Sequence, residues 1–66
     1  MTPKEKAEEL FNKYYSYLKA NLMHDEEARE DAKECALITV DEILKIIHTN
    51  MEDKYWQEVK QEIEKL

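Results

Sequence analysis

No glycine occurs anywhere in this chain, and its only proline is Pro3. Those two residues supply most of the tight turns and chain reversals that sheets and loops need. A chain without them beyond its third position has few alternatives to helix. Lys, Glu, Leu, Ala and Ile dominate the remaining residues and are compatible with helix throughout. No stretch alternates apolar and polar residues as a half-buried strand does, and no hairpin turn pair is present. Neither an internal repeat nor a low-complexity linker divides the 66 residues, which make one domain, 1–66.

Thr2-Pro3-Lys4-Glu5 reads as a helix start. Thr serves as N-cap, Pro takes the first helical position, and Glu at the third closes a capping box. At the helical period, Ala7, Leu10, Phe11, Tyr14, Tyr17, Leu18 and Leu22 fall on one face with Tyr15 at its edge. This predicts a first helix over about 3–22. Asn21 to Asp25 is the break, with Asp25 as the next N-cap and Glu26 and Glu27 favouring the positive end of a second helix over about 26–48. Thr49-Asn50-Met51-Glu52 offers another capping box. A third helix over about 51–66 follows, with Tyr55, Trp56, Val59, Ile63 and Leu66 in one stripe of roughly 100°.

The second helix carries a far broader apolar arc. Cys35, Ala36, Leu37, Thr39, Val40, Ile43, Leu44, Ile46 and Ile47 spread over roughly 200°, about twice an ordinary amphipathic stripe. Such a helix needs partners on two sides. The fold class is therefore all-α, a compact three-helix unit with helix 2 central. Ile38 departs from the pattern, standing among Asp41, Glu42 and Lys45, and is a candidate subunit contact. A core this small rarely supplies more than roughly 3–5 kcal/mol. The lone cysteine, Cys35, excludes an internal disulfide and fits a reducing compartment. Self-association into a homo-oligomer is the expected supplement.

The formal charge is −6, from 16 acidic against 10 basic residues. That balance argues against DNA or RNA, whose binding rests on cations neutralising phosphates, and against an anionic membrane surface. No run approaches the ~18 apolar residues of a membrane span, and the polar N-terminus does not read as a signal peptide. A cytoplasmic protein is expected.

Catalytic chemistry is not legible, and neither a catalytic residue nor a cofactor is expected. His24, Asp25 and Glu27, or His48 and Glu52, stand at helix ends where solvated or capping roles suffice, so no metal site is expected. Cys35 lies mid-helix in the apolar arc, where a free cysteine packs as a small hydrophobe. His48, thirteen residues along the same helix, is roughly 20 Å away, too far to activate it. Without glycine, neither a phosphate loop nor a dinucleotide fingerprint can form. The protein is not expected to be an enzyme.

Two placements point to binding instead. Arg29 and Lys33 lie one turn apart and continue the line of Val40 and Ile47, extending the apolar face of helix 2. Their stems would cover the bundle end and pair with acids of helix 1. Alternatively they form a cationic pocket for phosphate or carboxylate. Tyr15 and Trp56 stand at the edges of their stripes with Lys4 and Lys60 beside them. Rings flanked by cations suit a nucleotide, and equally the rim of a protein interface.

Three blocks carry a resemblance. They are Pro3-Lys4-Glu5-Lys6-Ala7 with Leu10 and Lys13-Tyr14-Tyr15; Ala32-Lys33-x-Cys35-Ala36-Leu37-Ile38-x-Val40-Asp41-Glu42-Ile43; and Tyr55-Trp56-x-Glu58-Val59-Lys60-x-Glu62-Ile63. Together they resemble a family of very small helical proteins encoded by bacteriophages and mobile elements of Bacteroidetes. The resemblance brings no catalytic motif and implies a context: accessory phage proteins bind and block host components, among them defence proteins. By analogy of role and size, some compact helical phage proteins oligomerise and trap nucleotide immune signals. The expectation is thus a non-enzymatic oligomer that sequesters a cyclic or ADP-ribose-type nucleotide in the host cytoplasm. Arg29, Lys33, Lys4 and Lys60 would meet phosphates while Tyr15 and Trp56 stack on bases. The alternatives are a module docking on a host or phage protein, and a structural assembly subunit.

Overall fold

The computed structural model describes residues 1–21, 24–47 and 50–66, with the backbone alone at 50 and 51. Three helices follow in order: α1 (Pro3–Ala20), α2 (Asp25–Ile46) and α3 (Asn50–Glu64). No strand is present among the described residues.

α1 starts as its sequence requires. The Glu5 amide donates to Thr2 Oγ1 at 3.1 Å and the Thr2 amide donates to Glu5 Oε1 at 2.9 Å, a complete capping box with Pro3 behind it. The helix ends at Ala20, earlier than the expected Leu22, which lies outside the described residues. Asn21 is the cause. Its side-chain amide donates to the Tyr17 carbonyl at 2.8 Å and its backbone amide to the Leu18 carbonyl at 3.1 Å, so both satisfy carbonyls that a further turn would have used.

α2 begins one residue earlier than the sequence implies. His24 takes the N-cap position without a side-chain cap bond. Asp25, expected to cap, is instead the first helical residue, because its carboxylate accepts from Tyr15 and Arg29. It still stands with Glu26 and Glu27 in the first turn, where negative charge is favoured. The helix closes at Ile46, and Ile47 leaves with extended dihedrals. His48 and Thr49 fall outside the described residues, and so does the capping box proposed for α3. At its far end α3 tightens: the Lys65 and Leu66 amides reach back three residues to the Glu62 and Ile63 carbonyls.

Each helix touches both others. The result is a triangular bundle of 40 × 19 × 16 Å, in which α1 and α3 meet directly as well as through α2. α2 is nonetheless the deepest element. Ala28, Ala32, Ala36 and Val40, four residues apart in each step, are all buried. Small side chains on this row let the neighbouring helices approach closely, and Val40, Val59 and Ile63 are the largest fully buried side chains. Leu10, Tyr14, Leu37, Leu44, Tyr55 and Trp56 pack around the centre.

Close packing on a narrow row leaves part of the expected apolar arc uncovered. Ile46 is 73% exposed, and Tyr17, expected on the buried face of α1, is 69% exposed; Ile38, which stood outside the arc, is 55% exposed. The accessible surface totals 4902 Å², against about 4,450 Å² for an average monomer of 8.0 kDa. The bundle thus shows more surface than its mass requires.

Candidate functional site

The expected binding residues fall in separate regions of the bundle. Tyr15, Asp25 and Arg29 form one cluster where α1 ends and α2 begins. The Tyr15 hydroxyl donates to Asp25 Oδ1, and Arg29 Nε donates to Asp25 Oδ2 at 3.1 Å. The guanidinium carbon lies 5.6 Å from the centre of the Tyr15 ring, a cation–aromatic contact. Phe11 stacks on the same ring at 5.8 Å. The electrostatics follow from the geometry. The hydrogen bonds from Tyr15 and then Arg29 hold the Asp25 carboxyl below its ordinary range. The same bond to Asp25 raises the Tyr15 phenol, since ionising it would place two negative charges together.

Arg29 therefore pairs with an acid of its own helix rather than one of helix 1, and meets α1 through a ring. The i, i+4 spacing of Asp25 and Arg29 was the available signal. Lys33, one turn along, donates instead to the Glu64 carbonyl of α3 at 2.8 Å, as a cation suits the negative end of a helix. Lys60 pairs with Asp41 across α2 and α3 at 3.1 Å. Trp56 packs against the core in an edge-to-face contact with Tyr55, the ring centres 5.3 Å apart, and the Tyr55 hydroxyl donates to the Met1 carbonyl at 3.1 Å. Lys4 is exposed near the start of α1. Within one chain the structure brings Tyr15 and Arg29 together, places Lys33 one turn from Arg29, and sets Trp56 and Lys60 on α3.

A different feature lies between α1 and α2. Lys13, Tyr14, Tyr17, Leu18 and Cys35 line an open, apolar cleft of about 530 Å³, and among the described residues none of its lining belongs to α3. One wall is held by a hydrogen-bonded chain. Thr39 Oγ1 donates to the Cys35 carbonyl at 3.0 Å. The hydroxyl has a single proton, so Tyr14, 2.6 Å away, must donate to Thr39. This relay fixes the Tyr14 ring across the helix pair, while Tyr17, one turn on, stays exposed. Ile38 stands three residues from Cys35 and hence beside it on the α2 surface. The helical wheel could place Tyr17 and Cys35 on apolar faces, but it could not show that Tyr17 stays exposed.

Among the described residues, no three His, Cys, Asp or Glu side chains converge as a metal site would require, and no buried side-chain polar atom lacks a partner. Among the described residues no helix is long and apolar enough to cross a membrane. Comparison with protein-family models, curated proteins and solved structures finds no match. The functional reading therefore rests on the chain's own geometry.

Proposed function

We propose that this protein is a non-enzymatic interaction module that acts by docking the outer face of α1 and α2 onto a protein surface. The cleft between these helices carries the reading. It is apolar, open, lined by two tyrosines, a leucine and a cysteine, and continued by exposed Ile38. Aromatic rings in an apolar patch with charge at the rim are what protein interfaces concentrate. The resemblance to small phage-encoded proteins supports a setting in the host cytoplasm, where such a module would bind and block a host component or assemble with its own kind.

Photocrosslinking in the source cell tests this. Tyr17→p-benzoylphenylalanine should give a discrete protein adduct. The same substitution at exposed Glu8, nine residues away and so on the opposite side of α1, should not. No adduct from position 17, or equal adducts from both positions, overturns the reading.

One observation favours a second reading, capture of a cyclic or ADP-ribose-type nucleotide: the exposed Arg29 guanidinium held over the Tyr15 ring. A phosphate there would compete with Asp25 for Arg29. It would recruit Lys33, Lys4, Lys60 and Trp56 through assembly of several subunits. A nucleotide panel in a thermal-shift assay tests it, because a ligand that binds the folded chain raises its melting temperature. An unchanged melting temperature at saturating nucleotide overturns it.

A further inference from the structure

The outer face of α1 and α2 has two halves of opposite charge. On the α1 half, Lys13 lines the cleft. On the α2 half, Asp31 stands four residues from Cys35, within one turn of it. Both are exposed, and among the described residues neither takes part in an ion pair. Most other cations on the two helices are already matched: Lys6 with Glu9, Arg29 with Asp25, Lys45 with Glu42, and Lys33 with the Glu64 carbonyl. Lys13 and Asp31 are thus, like Lys4, Lys19, Glu27 and Glu34, outside those ion pairs, and they are the two of opposite sign that stand beside the apolar cleft.

The face is also large enough for an interface. The 18 residues of α1 extend about 27 Å, and the bundle is 19 Å across, giving a flat projection of about 500 Å². Side-chain relief raises that towards the roughly 800 Å² per partner of a standard stable interface. It is also the region where Tyr17 and Ile38 leave apolar surface uncovered.

We infer that the occupant of this face is a second copy of the chain, related by a two-fold axis parallel to the helices, so that α1 of each protomer lies over α2 of the other. The inference rests on the docking reading above and names its partner. Symmetry and charge choose the arrangement. Two copies packed face to face have their two-fold axis in the interface, either along the helices or across them. An axis across the helices lays α1 on α1 and α2 on α2, which brings Lys13 towards Lys13 and Asp31 towards Asp31. An axis along the helices keeps each residue at its own height and exchanges the two halves. Lys13 shares the cleft with Cys35, so it lands within about one turn of the partner's Asp31. The two cleft halves then close on one another, Tyr17 packs beside the partner's Cys35, and four antiparallel helices form the centre with α3 of each copy outside.

Sedimentation equilibrium of the full chain over a concentration series tests this, with helicity checked by circular dichroism for each variant. The expected masses run from 8.0 kDa when dilute to twice that when concentrated. Lys13→Glu and Asp31→Lys, each at an exposed position, should each raise the dimer dissociation constant about tenfold, because each sets like charges together twice per dimer. The double variant should return close to the original value. A second readout needs no substitution: the rate of Cys35 alkylation by iodoacetamide should fall as protein concentration rises. A monomer at every concentration, or a Cys35 rate independent of concentration, overturns the second copy as occupant. It leaves the docking reading to the adduct at position 17. A dimer whose charge variants do not restore one another overturns the proposed axis.

Discussion

Replacing Ile63 by Ala should remove most of the stability this bundle has. Ile63 is fully buried and packs with Ala7, Ala36, Val40 and Val59. The substitution deletes three side-chain carbons, at roughly 0.8 kcal/mol each for transfer out of water, or about 2.4 kcal/mol. The neighbours are short side chains that cannot reach into the space, so the cavity term adds roughly 1–2 kcal/mol. The sum, about 3.4–4.4 kcal/mol, is comparable to the total expected for a core of this size, roughly 3–5 kcal/mol. Ile63→Val removes one carbon and should cost about 1 kcal/mol, lowering the melting temperature by about 4–8 °C. Ile46→Ala deletes the same atoms from a residue 73% exposed and should stay within about 0.5 kcal/mol. Urea unfolding followed by circular dichroism measures all three, at one dilute concentration so that association does not enter. If Ile46→Ala costs as much as Ile63→Val, the core has been placed on the wrong face and the argument fails.

Two further outcomes follow from the hydrogen bonds. Tyr14→Phe removes the donor to Thr39 but leaves Thr39 bonded to the Cys35 carbonyl. It should therefore cost only about 1 kcal/mol of unfolding free energy, and a cost above about 3 kcal/mol would contradict the relay. The pH dependence has two limbs. The Asp25 carboxyl, and that of Glu5 through its bonds with the Thr2 backbone and side chain, are depressed. Their stabilisation is present above the ordinary carboxylate range and disappears as pH falls through the folded values. The Tyr15 phenol is raised by its bond to Asp25, so its share is present below the ordinary tyrosine value of about 10 and is lost as pH rises through the folded value. In an ultraviolet titration the Tyr15 phenolate should form above the ordinary tyrosine value. Asp25→Asn should bring the Tyr15 phenol back down towards that value and shrink the acid limb by the share due to Asp25. Unchanged phenolate titration in that variant would contradict the cluster.

The helix content, the capping box at Thr2 and the approximate breaks were legible because they depend on neighbours in the chain. Asp25 shows where local reading stops. An aspartate before a helix reads as an N-cap, but Arg29 on its own helix and Tyr15 draw its carboxylate away, and the Tyr15 share of that competition exists only once α1 has folded back. The alanine row was legible only at Ala36, which the apolar arc already included, and the reason is different. Ala28, Ala32 and Ala36 weigh little on a hydrophobic wheel beside Ile43, Ile46 and Ile47, yet tight helix approach makes the small residues the buried ones and turns Ile46 outward. Trp56, Lys4 and Lys60 each stood at the edge of a stripe. A wheel assigns such residues an azimuth but not a height, so it could not show which of them share an end of the bundle with Arg29. Tyr17 and Cys35 were read as apolar positions to be covered; Cys35 is partly covered while Tyr17 stays exposed.

In the proposed arrangement the outer face of α1 and α2 meets a second copy of the chain. Amide nuclear magnetic resonance spectra of the isotope-labelled chain across a dilution series address it residue by residue. The expected result is concentration-dependent shifts concentrated at Lys13, Tyr17, Leu18, Asp31, Cys35 and Ile38, with the α3 positions Gln57 and Gln61 unmoved. Spectra that do not change with concentration, or shifts that gather on α3 instead, would contradict it.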